Sequence, residues 1–363
     1  MYYYRIAELI LQSVFRLESF EEFLCEPAEA DMLLERTDEL PPPGEARCSG
    51  IINHIMLPDG WYFYPDKNKD KGLFISKDYT YLKLRGVQED IIANITEWFV
   101  RIAIECMLIR RGYVSLHSAA VEVNGEAFAF TGPSGMGKST RAQAWIDALG
   151  AKLINGDRPL INVKRMELYG VPWDGKEQCF RNVRCPLKAI CEVRRSETSV
   201  YVRGMTTLQK RKVLMQQCFI PMWDTETAAI QMSNMLRLAG SANIIRIFCG
   251  PEPKDAMVLY NAIQEGNILK EEKDMKANPG FILRNVVDEY ILMPTGDNIG
   301  KFNGTVLLNE VSALVWEKLQ NPVSRDDLLK AILDEFEVEK AVAAADLDAL
   351  LAKLKEYGVI SED

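Results

Sequence analysis

The sequence predicts an α/β protein built from three parts. Residues 126–150 follow the order of a short apolar strand, a glycine-rich loop and an amphipathic helix, which is typical of an α/β core. Residues 1–112 consist mostly of short β-prone runs and close with a long helical pattern. A charged segment and an Asn-Pro-Gly turn then precede a compact order of strands and helices that is typical of a winged-helix unit. We therefore predict a β-rich region at 1–112, a mixed-sheet α/β core at 113–270 and a winged-helix-like domain at 276–363.

The composition excludes several classes of protein. A chain of 363 residues with 48% hydrophobic and 26% charged residues is typical of a globular protein with more than one domain. A net charge of −9 argues against a general nucleic-acid binder, which needs a basic surface. No apolar run is long enough for a membrane span, and the first residues lack the basic and apolar pattern of a signal peptide. Eight scattered cysteines without a C-x-x-C pair, and only two histidines, exclude the usual zinc spacings and favour a reducing, cytoplasmic setting.

The N-terminal region predicts a β-meander followed by a helix. Its β-prone runs are Trp61–Tyr64, Leu73–Ser76 and Tyr79–Leu84, and polar loops separate them. Between Glu89 and Arg111 the apolar residues recur at helical spacing, at Ile95, Phe99, Ile102, Cys106 and Ile109. Nothing in this region predicts chemistry.

The segment Gly132–Thr140, GPSGMGKST, fits the phosphate-loop pattern G-x-x-x-x-G-K-[ST]. Glycines let the backbone turn so that successive N–H groups point at phosphate oxygens, and the following helix adds a partial positive charge. Lys138 is expected to contact the β- and γ-phosphates, and the Ser139 hydroxyl to bind Mg²⁺. The predicted nucleotide-binding residues are Gly132, Ser134, Gly135, Met136, Gly137, Lys138, Ser139 and Thr140.

The flanks of this loop supply the structural context that it needs. Ala127–Phe130 is a short apolar run, as expected of a buried strand, and Gly150 ends the helix behind the loop. The run Val114–Val123 precedes an Asn-Gly pair, which is a strong hairpin signal. The strand that leads into the loop is therefore expected to have an antiparallel partner, and His117 lies on that partner.

A carboxylate follows the next predicted strand. The strand Lys152–Arg158 comes after the loop helix and carries Asp157 at its end. Phosphoryl transfer needs charge neutralisation and a group that accepts the proton of the acceptor, and Asp157 is the best candidate for this base and for a metal ligand. The alternative is an ordinary aspartate that caps a turn. His117 is predicted to hold or tune this carboxylate, against the alternative of a purely structural histidine.

Charged residues in a turn-rich segment predict a third group of site residues. Loops of this type commonly carry substrate-positioning groups, although a solvated charge cluster has the same composition. The predicted substrate-binding residues are Lys176, Glu177 and Arg181.

The rest of the chain alternates strands and helices. Within the core we predict strands at Leu187–Val193 and Ile244–Cys249 and helices at Thr206–Phe219, Thr225–Leu238 and Pro251–Glu265. Beyond the linker at 271–280 we predict a hairpin, Phe281–Val286 with Tyr290–Met293, a helix at Leu307–Leu319, a second helix capped by Ser324, and a leucine-lined third helix that stops at Gly358. Residues 276–363 hold 9 Lys and Arg against 16 Asp and Glu, a net charge of −7, which argues against DNA binding by a winged helix.

Four segments of the core together resemble the catalytic core of HPr kinase/phosphorylase, within the phosphoenolpyruvate-carboxykinase-like superfamily of phosphate-loop proteins. They are His117–Ala120, the Asn124-Gly125 turn, Gly132–Thr140 and Leu153–Asp157, and the resemblance covers about residues 113–266.

This resemblance implies an ATP-dependent, Mg²⁺-dependent kinase. Lys138 and Ser139 would bind phosphate and magnesium, and Asp157 would activate a serine hydroxyl with His117 beside it. The family usually has two adjacent aspartates where this chain has Gly156-Asp157, and its later glycine-rich signature has no match here. The kinase activity is therefore favoured over the phosphorylase activity, and HPr is disfavoured as the substrate. Kinases of this family are hexamers, so the resemblance implies a homo-oligomer.

The last part of the chain, from about residue 278, resembles PqqD, the small peptide-chaperone domain of quinone-cofactor biosynthesis. The matching features are the hairpin with Pro294, then Leu308-Asn309, Trp316, Ser324 and the closing segment from Leu354 to Ile360. Domains of this type recognise the leader regions of ribosomally made peptides that are later modified.

The two resemblances together imply a cytoplasmic kinase that phosphorylates a Ser or Thr hydroxyl of a ribosomal precursor peptide. The C-terminal domain would bind the leader region of that peptide. Two alternatives remain open from the sequence. One is a kinase for a small molecule such as free serine, and the other is a nucleotide-gated peptide-binding protein without transfer activity.

Overall fold

The computed structural model describes residues 1–39, 46–49, 52–65, 70–86, 91–92, 95–173, 180–196, 199–250, 252–271, 273–286, 289–299 and 306–362. The chain divides into two compact units, Met1–Leu269 and Lys270–Asp363. The first unit takes in the predicted N-terminal region together with the predicted core. The architecture is mixed α/β, with several sheets that combine parallel and antiparallel strands.

The first unit begins with a β-rich part. Its elements in chain order are β1 (Tyr2–Ile6), β2 (Leu9–Ser13), β3 (Arg16–Leu17), a 3₁₀ helix (Glu18–Phe23), β4 (Met32–Thr37), β5 (Ala46–Ser49), β6 (Ile52–Met56), β7 (Gly60–Tyr64), β8 (Gly72–Ser76), β9 (Tyr81–Arg85), β10 (Ile91–Ile92) and helix α1 (Ile95–Arg110). Among the described residues, eight strands form one sheet in the order β1-β2-β4-β9-β8-β7-β6-β5. The run β5 to β9 is the predicted meander, because each strand pairs antiparallel with the next.

Helix α1 joins this sheet to the rest of the unit. Phe99 lies on its buried face, and its ring is 6.3 Å from that of Phe63 on β7. The same hydrophobic cluster includes Trp173 and Trp223 from the later part of the unit. The predicted helix is present but begins at Ile95 and not near Glu89, because Ile91–Ile92 pairs with β3 as a strand. It ends as expected, with Gly112 at φ +84° just beyond it.

The second part of the unit is built on a mixed sheet. Its strands are β11 (Tyr113–Ser115), β12 (Ser118–Val123), β13 (Glu126–Thr131), β14 (Lys152–Asn155), β15 (Leu160–Asn162), β16 (Glu167–Tyr169), β17 (Arg184–Arg195), β18 (Tyr201–Arg203) and β19 (Ile244–Cys249). The long strand β17 runs parallel to β13 and to β19, whereas β12 pairs antiparallel with β13 and β14. The Asn124-Gly125 turn joins β12 to β13 with both residues at positive φ, as that pair predicts.

Helices cover this sheet. They are α2 (Lys138–Leu149), α3 (Thr207–Gln217), α4 (Thr225–Ser241) and α5 (Pro253–Glu265), within two residues of the predicted ends except that α4 runs three residues further. Helix α2 is held to β13 by Trp145, whose ring centroid lies 4.8 Å from that of Phe128 and 5.0 Å from that of Phe130. This packing fixes the direction in which the loop between β13 and α2 opens.

Two predicted strands are shorter than expected, and both differences concern site residues. The run Val114–Val123 is two strands, because β11 pairs with β15 while β12 pairs with β13 and β14. His117 therefore lies between the strands and not on one. The strand predicted to reach Arg158 ends at Asn155, whose side chain accepts the N–H groups of the next turn.

The second unit is a small α/β domain with its own core. It comprises β20 (Met275–Ala277), β21 (Phe281–Val286), β22 (Glu289–Pro294), a 3₁₀ turn (Gly296–Asn298), β23 (Val306–Leu308), α6 (Glu310–Lys318), α7 (Arg325–Glu335), α8 (Lys340–Glu356) and β24 (Ile360–Glu362). Strand β20 pairs with β24, so the two ends of the unit meet. The three strands β21-β22-β23 form an antiparallel sheet over a core that includes Trp316.

The helix predicted at Leu307–Leu319 begins later in the structure. Val306–Leu308 pairs with β22 as a strand, and the Asn309 side chain accepts the Ser312 N–H, so that α6 starts at Glu310. The predicted cap of the next helix is confirmed, since Ser324 Oγ accepts the Asp327 N–H at 3.1 Å.

Candidate functional site

The segment between β13 and α2 contains three glycines in backbone conformations that few other residues adopt. Gly132, Gly135 and Gly137 all have positive φ, at +141°, +80° and +92°, which side-chain-bearing residues rarely adopt. A Cβ atom added at Gly135 would meet nothing within 4 Å, so this part of the loop faces open space. Ser139 and Thr140 lie in the first turn of α2 and are exposed. The loop leads directly into the N-terminus of α2, an arrangement that favours an anion.

Lys138, the first residue of α2, turns back over this loop. Its ammonium donates to Gly132 O at 3.0 Å and to Pro133 O at 3.3 Å. Burial lowers the pKa of Lys138, Asp157 opposes this effect, and Arg158 adds to it. The charges of Asp157 and Arg158, in the turn that follows β14, therefore both act on Lys138.

Asp157 is held in place by its own turn. The Asn155 side chain is fully buried and accepts the N–H groups of Asp157 and Arg158 at 3.0 and 2.8 Å. Its amide also donates to Trp173 O at 2.7 Å. The backbone carbonyl of Asp157 accepts the Ser118 N–H at 2.7 Å, so β12 fixes the turn from the other side. The carboxylate itself remains 23% exposed and can be reached by a substrate.

Two side chains lie next to this carboxylate. His117 Nε2 is 3.6 Å from Asp157 Oδ1, which is just beyond hydrogen-bond length. Arg101 Nη1, from helix α1, is 3.8 Å from Asp157 Oδ2. We refer to Arg101, His117, Lys138, Asp157 and Arg158 as the Asp157 cluster.

The cluster is tied to the strand that leads into the glycine-rich loop. Thr131, the last residue of β13, donates its hydroxyl to His117 O at 2.8 Å. Burial lowers the pKa of His117, and the positive charges of Lys138, Arg158 and Arg101 lower it further, while Asp157 opposes them. The neutral imidazole is therefore favoured at neutral pH.

Sequence reasoning missed Arg101, which the β-rich part of the chain contributes. Its guanidinium lies 3.5 Å from the buried Glu105 carboxylate and 5.5 Å from the centre of the Trp173 ring. Glu105 in turn accepts the Ser115 hydroxyl at 2.6 Å. The sequence offers one signal for Arg101. Arg101 precedes Glu105 by four residues, and this order stabilises an isolated helix less than a glutamate followed by a basic residue. The pair is therefore expected to serve contacts outside the helix.

Of the three predicted substrate-binding residues, only Arg181 is among the described residues, and its contacts lie away from the Asp157 cluster. Lys176 and Glu177 lie outside the described residues. Arg181 donates to Glu122 at 2.8 Å and to Leu153 O at 2.6 Å. Glu122 is four residues along β12 from Ser118, roughly 13 Å at the usual rise of a strand. Substrate binding by these three residues stays a prediction.

The cluster was also tested for the predicted metal. Within the described residues, no group of three or more His, Cys, Asp or Glu side chains is placed to hold a metal ion. Ser139 and Asp157 fit a different type of site, because Mg²⁺ is commonly bound by one or two protein oxygens together with substrate phosphates. Every helix in the described part of the chain is too short or too polar to span a bilayer.

The second unit exposes an apolar sheet face. Register places Ile282 opposite Met293 and Ile291 opposite Leu307, so these side chains share the face that points away from the core. Leu307 is 64% exposed, Met293 39% and Ile282 37%. Among the described strands β21 pairs only with β22, which leaves its other edge free of strand partners.

Comparisons with known proteins bear on this second unit. Residues 289–360 match the family model described as Coenzyme PQQ synthesis protein D (PqqD). Two solved structures are similar to about a quarter of the chain. "TbiB1 in Complex with the TbiA(beta) Leader Peptide" is 19% identical, with 24% of this chain and 94% of that chain covered and a TM-score of 0.21. "Lasso peptide synthetase B1 complexed with the leader peptide" is 25% identical, with 24% and 98% covered and a TM-score of 0.21. No curated protein matches.

Proposed function

We propose that this protein, which carries a PqqD-type domain at residues 289–360, is an ATP-dependent kinase of modified-peptide biosynthesis. It would transfer the γ-phosphoryl group of ATP to a Ser or Thr hydroxyl of a precursor peptide whose leader region binds the C-terminal unit. The observation that carries the proposal is the presence, in one chain, of this domain, a glycine-rich loop and a partly exposed carboxylate, Asp157, which lies 3.6 Å from the histidine that Thr131 ties to the start of the loop.

The phosphate loop supports the nucleotide half of the proposal. Its three glycines at positive φ and the N-terminus of the 12-residue helix α2 are suited to β- and γ-phosphate oxygens. Lys138 at present donates to two carbonyl oxygens of the loop, and phosphate oxygens are better acceptors for an ammonium group. A magnesium ion held by Ser139 and Asp157 would neutralise developing phosphate charge.

The Asp157 cluster supplies the groups that transfer requires. The acceptor oxygen forms a bond to the γ-phosphorus, the bond from that phosphorus to the β,γ-bridging oxygen breaks, and ADP leaves. Asp157 takes the hydroxyl proton, and the neutral His117 beside it orients the acceptor. Arg101 and Arg158 place positive charge around the group that is transferred.

The leader would bind the sheet of the C-terminal unit. An extended peptide can add a strand at the free edge of β21, with backbone hydrogen bonds giving affinity. The exposed Ile282, Met293 and Leu307 side chains offer apolar contacts that give specificity. A tethered leader raises the local concentration of the acceptor to roughly millimolar for a short linker.

The test follows labelled γ-phosphate from ATP and identifies the molecule that carries it. We expect the label on Ser or Thr of the peptide, and Asp157→Asn should reduce the rate roughly 10²–10⁴-fold with ATP affinity nearly unchanged. Asp147→Asn is the matched control, since Asp147 is exposed on α2 and contacts Gln143. Label on free amino acid would favour a small-molecule kinase, and ATP binding without transfer would favour a nucleotide-gated peptide binder.

A further inference from the structure

Arg158 follows Asp157 in the turn after β14, and its backbone is fixed from two directions. Its N–H group donates to the buried Asn155 side chain at 2.8 Å. Its carbonyl oxygen accepts the indole N–H of Trp173 at 3.1 Å. The position of Arg158 in the turn is therefore set by contacts that do not involve its side chain.

The side chain of Arg158, in contrast, makes no hydrogen bond and no ion pair among the residues that the structure describes. The residue is nevertheless half-buried, so its charge is partly withdrawn from water. Lys138, by comparison, donates to two carbonyl oxygens of the glycine-rich loop. Arg101 lies 3.5 Å from the Glu105 carboxylate and 3.8 Å from that of Asp157. A half-buried cation without such a partner favours an anion from outside the chain.

The turn that carries Arg158 lies beside the end of helix α3. His117, next to this turn, donates its backbone N–H to Gln217 O at 2.8 Å. Burial raises the pKa of the Cys218 thiol, just beyond α3, and the positive charge of Arg158 opposes this effect. The Cα atom of Arg158 is only about 3.8 Å from that of Asp157, the distance between consecutive residues. An anion bound to Arg158 would therefore lie close to the hydroxyl that Asp157 activates.

We propose that Arg158 binds a carboxylate of the phosphoryl acceptor and so selects acceptors whose Ser or Thr hydroxyl lies beside such a group. In a precursor peptide this carboxylate is either a neighbouring Asp or Glu side chain or the C-terminal carboxylate. Asp157 and the γ-phosphate repel a further negative charge, so an acceptor of this kind needs a cation beside it. A guanidinium donates two parallel hydrogen bonds to a carboxylate and thereby also fixes the orientation of the acceptor. This inference rests on the phosphoryl transfer proposed above and adds the chemistry of the acceptor.

The experiment measures the binding of short serine peptides to the full chain by NMR titration, with Mg²⁺ and ADP present. One set of peptides compares Asp with Asn on either side of the serine. The other set compares a C-terminal serine as the free acid and as the amide, so the two sources of the carboxylate are distinguished. We expect the charged peptide in at least one set to bind roughly 10- to 100-fold more tightly, as expected for a hydrogen bond to a charged group. Equal affinities within both sets, or binding of none of the peptides, would overturn the inference.

Variants of Arg158 assign the preference to this residue. Arg158→Gln should remove the preference for the charged peptides, and Arg158→Lys should retain part of it. Arg237→Gln, at an exposed position on α4, is the matched control and should retain all of it. An undiminished preference in Arg158→Gln would overturn the inference, whether or not the variant also binds ATP more weakly.

The same peptides separate this inference from the function on which it rests. Labelled γ-phosphate from ATP is followed with each peptide that binds. A carboxylate preference that depends on Arg158, without transfer of label to any peptide, would contradict the proposed kinase activity and leave the anion site standing. Transfer of label at equal rates to the charged and neutral peptides would support the kinase activity and overturn the role of Arg158.

Discussion

Replacing Arg101 by methionine tests the electrostatic coupling between Arg101 of the Asp157 cluster and the buried Glu105 carboxylate. Arg101 is 12% exposed at its side chain and Glu105 only 2%, so the change leaves a carboxylate inside the protein with Ser115 as its neutral partner. Breaking a buried pair from one side typically costs ~3–5 kcal/mol. The 3.5 Å separation and the partial exposure of Arg101 favour a smaller effect, about 2–3 kcal/mol, and hence a drop in Tm of roughly 4–5 °C for a unit of this size.

The assay is urea unfolding followed by tryptophan fluorescence. The double variant Arg101→Met/Glu105→Gln removes the stranded charge, so it should recover at least about 1 kcal/mol relative to Arg101→Met alone. Arg16→Met is the matched control, because Arg16 pairs with Glu21 where both side chains are about half exposed, and it should cost under ~1 kcal/mol. A cost for Arg101→Met within about 0.5 kcal/mol of zero, or full additivity in the double variant, would refute the coupling.

Three further predictions concern the loop, the histidine and the sheet face. Lys138→Ala should remove ATP binding measured by calorimetry, while Lys152→Ala, at an exposed position on β14, should not; equal affinities would exclude the phosphate-loop role. Because the pKa of His117 is lowered from 6.5, the folded state binds fewer protons than the unfolded state between that lowered pKa and 6.5. The free energy of unfolding should therefore rise with pH through this window and level off above it. The variant His117→Gln should lose this rise in denaturation curves measured from about pH 5 to 7.5. The same pH dependence in the variant and in the unchanged protein would contradict the lowered pKa of His117. Leu307→Asp should weaken leader binding by about tenfold or more with unchanged Tm, whereas Val342→Asp, exposed on α8, should not; equal effects would place the leader elsewhere.

The parts of the fold that the sequence predicts are those determined by local chemistry. The Asn124-Gly125 turn and the glycines of the loop between β13 and α2 have positive φ, and Ser324 provides a side-chain cap, so each can be recognised from a few residues. The pairing of β20 with β24 joins residues more than eighty positions apart, and no short pattern indicates it. The start of α6 was missed because Val306–Leu308 continues the apolar pattern of the helix although it pairs as a strand.

The candidate site shows the same limit. Lys138 and Asp157 are predicted as site residues because a motif and a strand end locate them in the sequence. Arg101 approaches Asp157 from helix α1 of the β-rich part, and Trp173 reaches the same turn through hydrogen bonds with Asn155 and Arg158, so both depend on contacts between residues far apart in the sequence.

The most direct test of the central claim measures phosphoryl transfer to a full-length precursor peptide and to the same peptide without its leader. Tethering through the C-terminal unit predicts a kcat/KM about 10²- to 10⁴-fold higher for the full-length peptide, and addition of free leader should inhibit its phosphorylation. A chain ending near Lys270 should still bind ATP and should treat both peptides alike. Equal rates for both peptides with the intact protein would contradict leader-guided phosphorylation.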